Sequence, residues 1–130
     1  MKDIENIADV KVFVNEFYEK IKKDEVLAPI FALRIEGEAW EKHLNRMYNF
    51  WNTVLFCERT YKGNPFSKHL GLPVSEIHFS RWIFLFQESI DSLFSGAKAE
   101  ETKKRASNMA LMFGAKIAFF QQNPTSKPIM

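Results

Sequence analysis

One histidine of the chain stands on a segment whose two ends are marked by turn-forming residues. Asn64 and Pro65 match a helix N-cap followed by proline at the first helical position, while Gly71 and Pro73 match a helix end. The sequence therefore predicts a short, rigid helical turn that carries His69. An imidazole held in a fixed position suits a ligand of a metal or of a haem iron, although a lone histidine beside apolar residues is more often part of an ordinary core or surface.

Three further side chains with a polar atom fall within apolar stripes of the chain: Tyr18, His43 and Trp82. A buried hydroxyl, imidazole or indole N–H costs free energy unless it has a hydrogen-bond partner. The three groups can serve one another in a structural network, or they can converge on a bound ligand with His69 on the opposite side. Their spacing leaves both interpretations open.

The elements that position these residues are predicted to be helices, because apolar residues recur at helical spacing almost throughout. Four long helices are expected, at roughly 6–23, 38–56, 75–94 and 99–121. The stretch from Asp24 to Phe31 is predicted to be a short connector broken by Pro29. No alternating strand pattern occurs, so the fold class is all-α. Residues 1–122 are expected to form one domain, followed by a flexible tail over 123–130.

Composition limits the classes of function. The chain has 130 residues, of which 46% are hydrophobic, and this is enough for one packed domain. A formal net charge of +2, with both signs interspersed, gives no surface for nucleic acid or membrane. The single cysteine, Cys57, excludes an internal disulfide and a Cys-x-x-Cys-His attachment of haem, and we expect it to be a small buried residue. Without a signal-peptide pattern or membrane-spanning apolar run, we expect a cytoplasmic protein.

Seven short motifs follow one another along the chain: Phe17-Tyr18, Pro29-Ile30-Phe31, Trp40-x-x-His43, Phe50-Trp51, Tyr61-x-Gly63-Asn64-Pro65, His69-Leu70-x-Leu72-Pro73 and His78-Phe79-x-Arg81-Trp82-x-x-Leu85-Phe86. This ordered set resembles the truncated haemoglobins, in particular their third group, over roughly residues 10–115. The chain has no Gly-Gly pair of the kind that marks the first two groups, and Cys57 stands where glycine is expected after the second long helix. The resemblance implies a shortened globin fold, with two helices packed over two around a haem.

The resemblance also implies roles for individual residues. His69 would be the proximal ligand of the iron in a non-covalent haem b. Arg46 and Lys68 are expected to meet the two haem propionates. The expected apolar contacts of the haem are Phe31, Met47, Phe50, Trp51, Phe66, Leu72 and Phe86.

On the distal side, the resemblance implies that Tyr18 and Trp82 donate hydrogen bonds to a bound ligand. His43 is expected either to donate to the ligand or to swing outward as a gate that depends on its protonation. His78 belongs to the same motif, but its place near a helix N-terminus predicts a surface or capping residue, so it is given no catalytic role.

Within the haem interpretation, the expected ligands are dioxygen, nitric oxide or carbon monoxide. A dense set of donors favours reactive chemistry, such as nitric oxide detoxification or peroxidase-like turnover with a reductase partner, over oxygen transport or storage. Two other classes remain open. A zinc enzyme using His43, His69 and His78 lacks the usual ligand spacing, and a cofactor-free helical interaction module leaves the His69 turn unexplained. The sequence does not indicate an oligomeric state.

Overall fold

The computed structural model describes residues 1–34, 39–57 and 75–122, and its side chains are described except at 33–34 and 117–122. This part of the chain is helical and contains no strand, as predicted. The four long helices are confirmed, with bounds within two residues of those expected. In chain order the helices are α1 (Ile7–Lys23), α2 (Ala28–Arg34), α3 (Ala39–Phe56), α4 (Glu76–Leu93) and α5 (Ala97–Gln122).

Helix α1 lies at the centre of the packing. It contacts α2, α3 and α4, while α4 also packs against α5. Asn6 caps the helix, since its side-chain oxygen accepts a hydrogen bond from the backbone N–H of Asp9 at 3.2 Å. The predicted apolar stripe of α1 is buried along its whole length: Val10, Phe13, Val14, Phe17, Tyr18 and Ile21.

The prediction of a connector broken by Pro29 was wrong, because α2 begins at Ala28 and continues through the proline. Pro29 occupies the first turn, where no intrahelical acceptor needs its missing N–H and where its fixed φ suits the helix. The side chain of Asp24 accepts hydrogen bonds from the backbone N–H groups of Val26 and Leu27, at 3.1 and 3.0 Å. This turn starts α2 directly after α1.

The N-terminal segment closes one end of the helical assembly. The carboxylate of Asp3 accepts hydrogen bonds from the backbone N–H groups of Lys98 and Ala99, both at 2.8 Å, and so caps α5. Gly96 precedes this cap with a φ of 142°, and a Cβ atom there would lie 2.5 Å from Asp3 Cγ. Ile4 is buried beside them. The first residues are therefore part of the fold rather than a loose end.

Cys57 was predicted to be a small buried residue, and this prediction was wrong. The side chain is exposed. Cys57 follows the last residue of α3 with a φ of 57°, and its N–H donates to the carbonyl oxygen of Thr53 at 3.0 Å. The position that ends a helix in the left-handed region is usually glycine and usually lies at the surface, which explains the exposure of Cys57 and why glycine was expected there.

In the described residues, no helix combines the length and hydrophobicity needed to cross a membrane. The predicted division into a domain over 1–122 and a tail over 123–130 stays a prediction, because the tail lies outside the described ranges.

Candidate functional site

Three aromatic rings surround the phenol of Tyr18, which is only 6% exposed. The ring centroid of Tyr18 lies 5.0 Å from that of His43 and 5.9 Å from those of Phe31 and Trp40, with edge-on geometry in each case. The residues come from three helices. Helix α1 carries Tyr18, α2 carries Phe31, and α3 carries Trp40 and His43, which are spaced by about one helical turn. We call these four residues the Tyr18 cage.

Trp82 lies beside the cage, across Phe17. The ring centroid of Phe17 is 5.0 Å from that of Tyr18 and 5.3 Å from that of Trp82. Trp82 stacks on Phe86 with centroids 5.4 Å apart, and Phe86 stacks in turn on Trp51 at 5.2 Å. The structure therefore brings Tyr18 and His43 into direct ring contact and holds Trp82 within one ring of them.

Burial has a chemical consequence for Tyr18. Removal from water raises the pKa of the Tyr18 phenol above its ordinary value, because the charged phenolate is disfavoured among apolar rings. The hydroxyl is therefore neutral throughout the physiological pH range. A neutral phenol in dry surroundings is a hydrogen-bond donor suited to a polar or partly negative ligand atom.

The apolar faces of α3 and α4 change in burial along each helix. Near their C-terminal halves the apolar residues are buried, as at Leu55, Leu85 and Ile90. Toward their N-terminal halves the residues of the same faces are only half-buried, although they are large and apolar or aromatic: Trp40, His43, Leu44, Met47, Phe79, Trp82 and Ile83. These half-buried faces, together with the Tyr18 cage, form the candidate site.

The remaining predicted apolar contacts divide into two sets. Phe31 and Met47 are half-buried against the core and reach the candidate site. Phe50, Trp51 and Phe86 are 7%, 5% and 1% exposed, so they support the site from within the core. Their predicted contact with a cofactor is not tested by these positions and stays a prediction.

Two charged residues near the site have partners within the protein. Arg46 is exposed, and its Nε donates to the carbonyl oxygen of Lys42 in its own helix at 3.4 Å. The Nζ of Lys22 lies over the ring of Trp40, 4.7 Å from the centroid. The proposed contact of Arg46 with a propionate also stays a prediction.

Four of the predicted site residues lie outside the described ranges: Phe66, Lys68, His69 and Leu72. His78 is confirmed as a capping residue, since its Nδ1 accepts a hydrogen bond from the backbone N–H of Ser75 at 3.0 Å in a reciprocal capping box at the start of α4. Within the described part of the chain, no three metal-ligating side chains form a group that could hold a metal ion.

Comparison with known proteins places the chain in a family. The family model for bacterial-like globins matches residues 3–115 of the chain. A group 3 truncated haemoglobin from Campylobacter jejuni is 37% identical over 100 residues, which are 75% of this chain and 79% of that protein. The chain belongs to the truncated haemoglobins, in their third group. The recognition made from the sequence motifs is thereby confirmed.

Other relatives agree with this assignment to a truncated haemoglobin. A group 1 truncated haemoglobin from a Nostoc species is 30% identical over 107 residues, covering 82% of this chain and 86% of that protein. The crystal structure of a group III truncated haemoglobin from Campylobacter jejuni superposes with a TM-score of 0.83 at 33% identity, covering 90% of this chain and 95% of that chain. The predicted truncated globin fold is confirmed, and membership implies a haem iron that binds diatomic gases.

The described residues of this truncated haemoglobin fit a haem. A porphyrin is a flat and mostly apolar ring, and the half-buried faces of α3 and α4 offer apolar and aromatic surface of that kind. The Tyr18 phenol adds a neutral donor in a dry setting, which suits a polarised diatomic ligand. The chain's one cysteine excludes paired thioether links, in agreement with non-covalent binding.

Two features of the site were not assigned a role from sequence. Trp40 belongs to the Trp40-x-x-His43 motif, and its position one turn before His43 was the signal that it shares the cage. Asp24 and Arg81 form an ion pair with Nε and Oδ1 2.6 Å apart. The motif contained Arg81, but nothing in the spacing pointed to a partner 57 residues away.

Proposed function

We propose that this truncated haemoglobin holds a non-covalent haem b through His69 and binds dioxygen and related diatomic gases with help from Tyr18, Trp82 and His43. The observation that carries the proposal is the buried, neutral Tyr18 phenol enclosed by rings, next to half-buried apolar faces. Haem, when bound, supplies an iron centre that binds diatomic ligands and exchanges electrons with them. The protein's own residues hold the macrocycle, exclude water and donate hydrogen bonds.

The donors favour reactive chemistry over simple carriage. Tyr18 and Trp82 would both donate to the ligand, and two donors to one ligand in a dry pocket polarise it strongly. Nitric oxide detoxification fits this arrangement. One nitric oxide, one dioxygen and one electron give one nitrate ion, so the electron has to come from a reductase partner. The alternative is oxygen storage or transport, in which the same donors slow dioxygen release without turnover.

His43 is proposed to control access to this pocket. It is half-buried and packs edge-on against Tyr18 and Trp40, whereas Tyr18 itself is buried. The more accessible position supports a gate between the phenol and solvent. Its imidazole can also donate to the ligand, and the ring contacts are compatible with either role.

The first experiment tests the proximal ligand. Purified apoprotein is titrated with haemin, and the Soret band is followed in the ferric, ferrous and carbon monoxide forms. We expect one haem per chain in the wild type and loss of stoichiometric retention in His69→Ala, because the iron then has no protein ligand on that side. His78→Ala is the matched control, since His78 caps a helix and should retain haem. Wild-type retention in His69→Ala would overturn the assignment.

The second experiment tests the distal donors. Tyr18→Phe and Trp82→Phe should each speed dioxygen dissociation, because each removes one hydrogen bond worth about 1–3 kcal/mol, or roughly a 5- to 150-fold change in affinity. Carbon monoxide is a poorer acceptor and should be affected less. Tyr48→Phe is the matched control, because the Tyr48 hydroxyl donates to Asn15 instead. If stopped-flow dissociation rates of both single variants equal the wild type, the two residues have only a structural role.

A further inference from the structure

Asp24 is a buried carboxylate at the point where three helices meet. It ends α1, and its backbone N–H donates to the carbonyl oxygen of Ile21 at 3.1 Å. Its Oδ2 accepts the N–H groups of Val26 and Leu27, which begin the turn into α2. Its Oδ1 accepts a hydrogen bond of 2.6 Å from Nε of Arg81, on α4. One carboxylate therefore links the end of α1, the start of α2 and the first half of α4.

The burial of this pair is one-sided, with the side chain of Asp24 4% exposed and that of Arg81 42% exposed. Burial alone would raise the pKa of Asp24, but the Arg81 guanidinium and the backbone donors keep the pKa below its ordinary value. A carboxylate held charged inside the protein is costly without its partner. Moving any of the three helices would separate the buried Asp24 carboxylate from one of its hydrogen-bond donors, so the carboxylate favours the observed arrangement.

Each of the three linked helices carries a residue of the candidate site. Helix α1 carries Tyr18, α2 carries Phe31, and α4 carries Trp82, the residue next to Arg81. Because a helix moves nearly as a rigid rod, fixing its end fixes the position of side chains one or two turns away. The ion pair therefore lies where a change in it can move the phenol relative to the indole.

We propose that Asp24 and Arg81 are positioning residues that set the placement of the Tyr18 hydroxyl relative to the Trp82 indole N–H. The inference rests on the proposed function, in which these two groups donate to one bound ligand. Neither Asp24 nor Arg81 has to touch the ligand. Their contribution is geometric, because a hydrogen bond weakens steeply as its angle and length depart from the optimum.

The chain contains a matched control for this proposal. Lys20 and Glu88 also join α1 to α4, with Nζ and Oε1 2.7 Å apart. Their side chains are 23% and 47% exposed, whereas that of Asp24 is 4% exposed. Removing this control pair with Glu88→Gln tests whether any α1–α4 ion pair has the same effect.

The first arm of the test needs no haem. Protein labelled with fluorotyrosine has three tyrosine signals, and the Tyr18 signal is assigned with Tyr18→Phe. Arg81→Gln, a change on α4, should shift the fluorine resonance of Tyr18 on α1, and Arg81→Lys should restore most of the wild-type position. In fluorotryptophan-labelled protein, Asp24→Asn should likewise shift the Trp82 signal. Glu88→Gln should leave both signals unchanged.

The second arm uses the haem-loaded protein. Arg81→Gln and Asp24→Asn should raise the C–O stretching frequency of the carbon monoxide complex, because misplaced donors polarise the ligand less. Dioxygen dissociation should become about threefold to tenfold faster, the effect of weakening one ordinary hydrogen bond. Glu88→Gln should match the wild type in both measurements.

The two arms separate the possible failures. If wild-type protein takes up no haem, the proposed function fails, while the fluorine signals still decide whether the pair positions Tyr18 and Trp82. If those signals in Arg81→Gln and Asp24→Asn stay where Glu88→Gln leaves them, the positioning role is wrong. If they shift while dioxygen dissociation and the C–O frequency stay at wild-type values, the proposed link to the ligand is wrong. Arg81 is partly exposed, so its variants keep the test usable if Asp24→Asn does not fold.

Discussion

The two ends of helix α1 are packed in different ways. At its N-terminal end, Ile4, Val10, Phe94 and Ala99 are between 0% and 5% exposed, and the Asp3 carboxylate closes the adjacent start of α5. We call this the closed end. At its C-terminal end lies the Tyr18 cage, whose other three rings are only half-buried. The closed end is therefore fully packed, whereas the other end leaves partly exposed aromatic surface at the candidate site.

A pair of phenylalanines measures this difference most directly. Phe94→Ala at the closed end should lower the free energy of unfolding by about 3–5 kcal/mol, because a buried ring is lost and a cavity remains. Phe31→Ala in the cage should cost about half as much, since part of that ring already faces outward. Urea unfolding of the two variants and the wild type gives both values.

The same two variants distinguish the two ends further when their unfolding free energies are measured with haem bound. If Phe31 packs on the bound macrocycle, Phe31→Ala should cost more in the haem-loaded protein than in the apoprotein, whereas the cost of Phe94→Ala should not change. Equal costs for the two variants in the apoprotein would contradict the contrast between the ends.

The helices could be predicted from the sequence because their apolar residues recur at a regular spacing, and the stripe from Val10 to Ile21 is buried as expected. Helix α2 was missed because Pro29 was taken as a break in the chain. Proline is accepted in the first turn of a helix, which is where Pro29 lies. The exposure of Cys57 was missed because a lone cysteine was taken as a small buried residue, although the glycine expected at its position pointed to a left-handed helix end. Long-range pairs such as Asp24 and Arg81 depend on how helices are placed in space, which local spacing does not encode.

The candidate site shows the same limit. Ring contacts within one helical turn, such as Trp40 with His43, follow from spacing alone. The contact of Tyr18 with His43 depends on how α1 and α3 pack, and here the family resemblance supplied what periodicity could not. The proposed role of His69 rests on the motif and on membership of the truncated haemoglobins, because that residue lies outside the described ranges.

The Asp3 cap at the closed end should make the free energy of unfolding depend on pH. Burial would raise the pKa of Asp3, but hydrogen bonds from three backbone N–H groups, those of Lys98, Ile4 and Ala99, lower it below the ordinary value. A carboxyl with a lowered pKa stabilises the fold above its ordinary pKa near 4, and this contribution is lost as pH falls through the lowered value. Asp3→Ala should therefore cost about 1–2 kcal/mol at pH 7 and less at about pH 3, below the ordinary pKa of the carboxyl.

Denaturant midpoints of wild type and variant at the two pH values test this expectation. Asp91→Ala serves as the control, because Asp91 forms an exposed ion pair with Lys103 and should cost about 0.5 kcal/mol or less. A cost of Asp3→Ala that stayed constant between pH 7 and about pH 3 would mean that the carboxylate charge does not contribute to the cap.

The smallest expected effect concerns the end of α3. Lys98 stabilises its last turn, since the Nζ donates to the carbonyl oxygen of Leu55 at 2.9 Å and lies over the ring of Phe56. The next residue, Cys57, is held at a φ of 57°, which costs an L-residue about 1–2 kcal/mol. Glycine avoids that cost but loses more conformational entropy on folding, by about 0.5–1 kcal/mol.

Cys57→Gly should therefore raise the free energy of unfolding by about 0.5 kcal/mol, as measured by urea unfolding under reducing conditions. Cys57→Ala keeps the backbone penalty while removing the thiol, and it should be neutral because the thiol is exposed. A gain in Cys57→Ala as large as that in Cys57→Gly would show that the thiol, and not the left-handed backbone, limits stability at this end of the molecule.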